Sequence, residues 1–210
     1  MSAESKLREL ITLIGKSIYD RGLTHGSTGN ISVRLDDGWL MTPTSSSLGW
    51  LNPATLSKLD KAGALVSGDP PTKESFLHRA VYDERSVAGA IVHLHSTHSV
   101  AVSCLPDTNL ESALPPLTPY SLMQCGRVPM LPYFKPGDKA LAEAVRVAVR
   151  GLVGKHTALL LANHGPIVAG ATLQAALYAT EELEATAKLH LLTRGHNPQM
   201  LTANQIAELS

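Results

Sequence analysis

The sequence predicts an α/β protein in which helices cover both faces of a central, mainly antiparallel or mixed sheet. Segments with helical periodicity, such as 7–18 and 172–192, alternate along the chain with short aliphatic runs of strand length. Two pairs of runs are joined by tight turns, which favours hairpins and therefore antiparallel neighbours. We expect a three-layer α/β/α arrangement and one domain over residues 1–210.

The N-terminal third predicts a helix, a hairpin and a second helix. Apolar residues recur at helical spacing up to Asp20, and Gly22 follows as a stop signal. A polar loop at 25–30 leads into the hairpin. The hairpin has an alternating strand at 31–35, a turn at 36–38 and a returning strand at 39–42. Asn52 and Pro53 predict a short capped helix, and a turn and short strand follow at 61–66. Next come two prolines and a longer helix, predicted to carry Glu74, Leu77, His78 and Val81 on one face.

The remaining segments alternate between strands and helices. The predicted order is a strand at 87–94, a helix at 96–105, a loop at 106–120, an edge strand at 128–133, a helix opening at Asp138, a hairpin at 158–169 and a long helix at 172–192. Gly195 marks the end of that long helix, and Thr202 with Gln205 has capping-box spacing. His164 is predicted to lie at the turn of the second hairpin.

Composition narrows the classes of function. Eighteen basic and eighteen acidic residues cancel without a block of like charge, which disfavours a nucleic-acid track or a polybasic membrane anchor. Cys104 and Cys125 are the only cysteines and lack CxxC spacing, so a disulfide framework or cysteine metal site is not expected. The first residues carry no apolar signal core, and no apolar run approaches the roughly 20 residues of a membrane helix. We therefore expect a cytoplasmic protein.

Two histidines at the end of an aliphatic strand are the main chemical signal. In a strand, His93 and His95 point to the same side, so their imidazoles can share one ion. Hydrogen-bonded core histidines are the alternative interpretation. A third histidine, His164, also follows an aliphatic strand, and three neutral imidazoles would leave a metal open positions for substrate.

Five short motifs occur in one order: GSTGNIS at 26–32, TPTS at 42–45, PTKES at 71–75, HLH at 93–95 and NHG at 163–165. Through them nearly the whole chain resembles the class II aldolase/adducin family. The resemblance implies one divalent metal per subunit on His93, His95 and His164, with zinc as first choice and Mn²⁺ or another divalent ion as alternatives. It also implies a homotetramer with active sites shared between subunits.

The resemblance also assigns roles to residues of the loops. Glu74 matches the acidic residue that serves as acid/base and can bind the metal when substrate is absent. The positions implied for phosphate or substrate binding are Asn30, Thr44, Ser45, Thr72 and Lys73. Tyr120 lies where aldolases have a tyrosine that reaches a neighbouring subunit's site. For each loop alone, ordinary turn chemistry explains the small polar residues equally well.

The other histidines receive separate interpretations. His25 lies in the glycine loop and could approach substrate, whereas His78 is interpreted as a packing residue of its helix. His98 is interpreted as lying behind the metal ligands. Surface or structural roles are expected for His156, His190 and His196.

Lys73 departs from the aldolases, which have a serine there. Together with PLTPYSLMQCG at 116–126, it makes the chain similar to a subgroup, the 3-oxo-tetronate 4-phosphate decarboxylases. The leading hypothesis is therefore decarboxylation through an enediolate to dihydroxyacetone phosphate. A sugar-phosphate aldolase is second, and an epimerase or dehydratase is third. A non-enzymatic interaction module of the adducin type is the alternative from another class.

Overall fold

Eight strands form one sheet whose spatial order differs from their order in the chain. The computed structural model describes residues 2–135, 137–152 and 157–209, so His156 lies outside the described residues. The strands are β1 (Asn30–Leu35), β2 (Gly38–Met41), β3 (Ser57–Asp60), β4 (Leu65–Ser67), β5 (Ala90–His93), β6 (Met130–Leu131), β7 (Thr157–Leu161) and β8 (Gly165–Gly170). Their order across the sheet is β4-β3-β2-β1-β5-β8-β7-β6. Each neighbouring pair is antiparallel except β6 and β7, so the sheet is mixed but mainly antiparallel.

Helices cover both faces of the sheet, as the sequence predicts. In the described part of the chain they are α1 (Ala3–Asp20), α2 (Ser75–Glu84), α3 (Thr97–Ser103), α4 (Pro119–Cys125), α5 (Lys139–Arg150), α6 (Leu173–Thr193) and α7 (Ala203–Ala207). Apolar side chains of α2 and α5 pack on one face. Those of α1, α3, α4 and α6 pack on the other. The structure therefore has three α/β/α layers.

Local signals explain where many elements begin and end. Gly22 and Gly195 lie two residues beyond the last residues of α1 and α6 and have positive φ angles of 72° and 86°, a conformation that glycine adopts readily. The side chain of Asp138 accepts from the backbone N–H of Ala140 at the start of α5. Thr202 and Gln205 form the predicted capping box of α7. These boundaries confirm the predictions made from the same residues.

Three segments differ from the sequence prediction. The predicted loop 106–120 ends in a helix, because Thr118 caps α4 and Pro119 occupies its first turn. No strand was predicted before the turn and strand at 61–66, yet β3 lies there and pairs with both β2 and β4. Glu74 is the N-cap residue of α2 rather than a residue within it, and its side chain makes no capping bond. Its carboxylate is therefore directed to other partners.

The register of the central strands positions the candidate site. β1 and β5 are antiparallel neighbours, and Asn30 pairs directly with His93. β8 lies on the other side of β5 and begins at Gly165, immediately after His164. The start of β1, the end of β5 and the β7–β8 turn therefore meet at the same end of the central strands. Within the described chain, no helix combines the length and apolar character needed to cross a bilayer.

Candidate metal centre and active site

Three histidines and one glutamate from separate elements converge at this end of the central strands. His93 is the last residue of β5, His95 lies two residues beyond it, His164 lies in the β7–β8 turn, and Glu74 precedes α2. One ligand atom from each of the four side chains lies within 4.8 Å of those of the others. The three imidazole rings meet edge to face, with centroids 4.7 to 5.2 Å apart. The structure thus brings the three predicted metal ligands and Glu74 together.

The β7–β8 turn holds His164 against the end of β5. Asn163 adopts a left-handed conformation with φ of 55°, which asparagine tolerates better than most residues. Gly165 follows with φ of 149°, and a Cβ at this position would lie 2.2 Å from the carbonyl oxygen of Leu94. Only glycine permits this close approach of the two backbones. The turn therefore places His164 beside the segment that carries His93 and His95.

A hydrogen bond orients His93, and two nitrogen atoms of the site lie close to the Glu74 carboxylate. The Nδ1–H of His93 donates to the carbonyl oxygen of Pro166 over 2.8 Å, so its Nε2 carries the lone pair. That Nε2 lies 3.4 Å from Glu74 Oε2, and the Nε2 of His164 lies 3.1 Å from Glu74 Oε1. The Nε2 atoms of His93 and His164 and the carboxylate oxygens of Glu74 therefore face a common centre.

The donor set fits a divalent metal. The Nε2 atoms of His93 and His95 are buried and have no hydrogen-bond partner among the described residues. Burying a polar atom without a partner is unfavourable, and a bound ion would satisfy both nitrogens at once. Imidazole nitrogens with a carboxylate are ligands that zinc and similar divalent ions accept. The residues present therefore fit the metal that the sequence predicts.

The protonation states favour the same interpretation. Burial, followed by the proximity of His93 and His164, lowers the pKa of His95 to about 4. Burial also lowers the pKa of His93. For Glu74, burial alone would raise the pKa, but His93, His164 and the amide of Asn30 lower it well below the usual range. Neutral imidazoles and an ionised carboxylate are the forms that bind a cation.

A cavity of about 450 Å³ opens beside the cluster. Glu74 and His95 line it. The five positions that the resemblance assigns to phosphate or substrate binding also line it: Asn30, Thr44, Ser45, Thr72 and Lys73. Ser27, Thr28 and Ser46 also line it and were not predicted. Ser27 and Thr28 lie within the GSTGNIS motif, which could have suggested them, whereas Ser46 directly follows the TPTS motif and lies outside it. The cavity has the size and polar lining of a site for a small anionic ligand.

Asn30 has partners inside the protein as well as a position in the cavity wall. Its amide nitrogen donates to Glu74 Oε2 over 2.7 Å, and its oxygen lies 2.5 Å from the Nε2 of His78. An amide nitrogen carries two hydrogens, so one can serve Glu74 while the other serves a ligand. His78 is buried, as a packing residue would be, but the sequence did not indicate these polar contacts.

Tyr120 lies apart from this cluster. It is in α4, is 67% exposed, and does not line this cavity. A contact with a neighbouring subunit's site remains a prediction. His25, by contrast, lies close enough to His95 to contribute to lowering that residue's pKa.

A buried carboxylate secures the segment that follows His95. Glu184 of α6 accepts hydrogen bonds from the backbone N–H groups of His98 and Ser99 over 2.8 and 2.9 Å. It also contacts the Nδ1 of His98 and accepts from the hydroxyl of Ser99. These N–H groups belong to the first turn of α3, where a negative charge is favourable. The His98 ring therefore contacts Glu184, and its predicted position behind the metal ligands stays a prediction. Glu184 is a supporting residue that the sequence did not reveal.

Comparisons with known proteins place these features in context. The model of the "Class II Aldolase and Adducin N-terminal domain" matches residues 9–191. A 3-oxo-tetronate 4-phosphate decarboxylase of Cupriavidus necator is 51% identical over 90% of this chain and 85% of its own length. The L-fuculose phosphate aldolase of Escherichia coli K12 is 34% identical over 82% of this chain and 76% of its own length. The crystal structure of Escherichia coli YgbL superposes with a TM-score of 0.94 at 43% identity, covering 99% of each chain.

Proposed function

Because this chain belongs to the class II aldolase and adducin family, we propose that it is a metal-dependent lyase that decarboxylates 3-oxo-tetronate 4-phosphate to dihydroxyacetone phosphate and carbon dioxide. The observation that carries the proposal is the convergence of His93, His95, His164 and Glu74 beside a polar cavity. Relatives that are 44–51% identical over at least 90% of this chain bear the name of this decarboxylase.

The cavity can distinguish the two anionic ends of such a substrate. Hydroxyls of Thr44, Ser45 and Thr72 and one N–H of Asn30 are suited to a phosphate, which accepts many hydrogen bonds. Lys73 lies in the same wall, next to Glu74, and adds a positive charge. We assign Lys73 to the substrate carboxylate, because decarboxylation requires that this group be held in one orientation.

A divalent ion, most simply zinc, on the three histidines would act as a Lewis acid that stabilises negative charge on the substrate's oxygens. Glu74, ionised at rest, removes the proton of the C2 hydroxyl. The C1–C2 bond breaks, carbon dioxide leaves, and its electron pair forms an enediolate over C2 and C3. Glu74 returns its proton to C2, and water supplies the proton that restores the hydroxyl, so that one hydroxide ion forms for each carbon dioxide released. The product is dihydroxyacetone phosphate.

Aldol cleavage is the second candidate, because it leads to the same enediolate and a named aldolase is 34% identical. An epimerase or dehydratase would use the same metal with other acid/base residues. A non-enzymatic module would be expected to lack the ligand set, which is complete here. The charge of Lys73, where the resemblance gives aldolases a serine, favours decarboxylation.

Product analysis of the metal-loaded protein tests the proposal. Wild type should release carbon dioxide from 3-oxo-tetronate 4-phosphate and cleave a ketose 1-phosphate poorly. Lys73→Ser should lower kcat/KM for decarboxylation about ten- to a hundredfold, since a hydrogen bond to a charged group contributes about 1.5–3 kcal/mol. Lys61→Ser, in the exposed turn between β3 and β4, is the matched control and should keep wild-type kinetics. Rapid aldehyde production by wild type without decarboxylation would make the protein an aldolase.

We further propose a cytoplasmic homotetramer in which Tyr120 completes a neighbouring subunit's cavity. The family resemblance supports the assembly, and large exposed side chains such as Trp50 and Tyr120 offer apolar surface for it. Both cysteines are free, one exposed and one buried, which suits a reducing compartment.

A further inference from the structure

We propose that His78 is a positioning residue for Glu74, acting through Asn30 within a buried chain of hydrogen bonds that ends at Tyr82. The proposal deepens the function proposed above and rests on the role of Glu74 as acid/base. His78 is not one of the four residues of the metal cluster and does not line the cavity beside it. Its backbone N–H lies 3.5 Å from the carbonyl oxygen of Glu74, as in an ordinary helical turn. The hydrogen bonds connect the His78 ring to the Glu74 carboxylate through Asn30.

The hydrogen bonds form one continuous chain. Glu74 accepts from the amide nitrogen of Asn30 over 2.7 Å, and the amide oxygen lies 2.5 Å from the Nε2 of His78. The Nδ1 of His78 lies 2.7 Å from Ser32 Oγ, which lies 2.8 Å from the hydroxyl oxygen of Tyr82. His78, Ser32 and Tyr82 are all at least 97% buried. Water therefore has little access to replace these partners.

The chemistry of the groups gives the chain one direction. The ionised carboxylate of Glu74 only accepts, so Asn30 must turn its NH₂ group toward it and its oxygen toward His78. The Nε2 of His78 must then carry the hydrogen, and its Nδ1 must accept from the hydroxyl of Ser32. Ser32 in turn accepts from Tyr82. Burial lowers the pKa of His78 to about 3, which agrees with a neutral ring that has one donor and one acceptor.

This direction matters because an asparagine amide has two nearly isosteric orientations. If Asn30 rotated by 180°, its oxygen would face the Glu74 carboxylate and repel it. The Nε2–H of His78 prevents the rotation, because it needs an acceptor. His78 is also one helical turn beyond Glu74 in α2, while Asn30 and Ser32 lie in β1. This chain of hydrogen bonds therefore fixes the start of α2, and with it Glu74, relative to the sheet.

Two substitutions of His78 separate positioning from packing. In His78→Gln, the side-chain amide nitrogen can replace Nε2–H and donate to Asn30. In His78→Asn, the shorter amide reaches only the position of Nδ1, near Ser32. We expect kcat of His78→Asn to fall at least about tenfold with KM within about twofold, since acid/base groups contribute about a hundredfold or more. His78→Gln should keep kcat within about threefold of wild type.

Folding and metal content are measured on the same samples. Thr180→Val, which removes a buried hydroxyl from α6 on the opposite face of the sheet, calibrates the loss of a buried polar group away from the site. It should lower the melting temperature without changing kcat per bound metal. Equal kcat per bound metal in His78→Asn and wild type would overturn the proposal. Equal losses in His78→Asn and His78→Gln would also overturn it, because they would indicate packing alone.

A readout without substrate separates this inference from the proposed reaction. In protein labelled with ¹⁵N at histidine, the spectrum of the His78 ring, identified by its absence in His78→Gln, should show hydrogen on Nε2 and none on Nδ1. The opposite tautomer would refute the inference even if the protein is a decarboxylase. Absence of carbon dioxide release by wild type, with the expected tautomer, would refute the reaction and leave the hydrogen-bond chain supported.

Discussion

At the scale of single residues, the site combines groups that are unfavourable on their own. His93 and His95 bury nitrogen atoms that have no hydrogen-bond partner among the described residues, and Glu74 is ionised although it is partly buried. One cation at their common centre would satisfy all of them. The spacing of His93 and His95 predicted their shared direction, because alternate residues of a strand point to one side. The contacts of His78 were not predictable, because its partners in β1 lie more than forty residues away along the chain.

Replacement of one ligand tests this interpretation at the residue scale. His95→Ala should lose stoichiometric metal and the activity, because two imidazoles retain a divalent ion much more weakly than three. Metal analysis of protein purified without added metal, together with the rate of carbon dioxide release, provides the measurement. His196→Ala, an exposed histidine beyond α6, is the control and should keep both. Full metal occupancy in His95→Ala would contradict the assignment.

At the scale of elements, the short helix α3 depends on a charge supplied by α6. Ser96 occupies the N-cap position of α3 but makes no capping bond, and Glu184 binds the free N–H groups instead. The sequence showed Glu184 only as one residue of a long helix, so this pairing could not be predicted. Burial alone would raise its pKa, but hydrogen bonds from Ser99 and His98 lower it. Glu184 is therefore ionised and complements the helix dipole.

Glu184→Gln should destabilise the fold by about 1–3 kcal/mol, because the neutral amide keeps the shape but weakens several charge-assisted bonds and turns a donor toward an N–H group. Chemical denaturation of the metal-free protein measures the change in free energy of unfolding. Glu181→Gln is the control. Glu181 lies one turn earlier in α6 and pairs with Arg21 at the surface, where a salt bridge contributes about 0–1 kcal/mol. If both variants lose the same stability, Glu184 has no special role.

Element boundaries followed the sequence where a local signal fixed them. Asp138 and Thr172 cap α5 and α6 at the predicted residues. α4 was missed because its seven residues follow a proline-containing loop and are too few to show helical periodicity. β3 was missed because only its neighbours β2 and β4 make it a strand. Tertiary pairing therefore decided the elements that local patterns could not.

At the scale of the whole molecule, the layers and the two hairpins were predictable, but the strand order was not. Turns join β1 to β2 and β7 to β8, and these connections are local. The placement of β5 between β1 and β8 depends on contacts between distant segments, which no periodicity records. The prolines on either side of β6 did predict its edge position, because proline cannot donate to a sheet. Tetramer formation, for the same reason, rested on resemblance alone.

A mixing experiment tests the shared active site. Tyr120→Ala and Glu74→Gln should each be nearly inactive, but tetramers reassembled from both should recover activity, since some sites then combine an intact Glu74 with an intact Tyr120. Sedimentation should show a tetramer for wild type and for each variant. A second mixture, of Tyr120→Ala with His95→Ala, should recover activity for the same reason, since some sites then combine an intact His95 with an intact Tyr120. A monomer with full activity would contradict the shared site.

The ligands that meet at the centre are far apart along the chain: about seventy residues separate the strand that ends at His93 from the turn that carries His164. An ion held by both would act as a reversible cross-link that closes this long loop. Closing a loop removes conformational freedom from the unfolded chain and so favours the native state. The same ion that prepares the substrate would thus also protect the fold, and loss of the metal would expose the protein to unfolding as well as inactivate it.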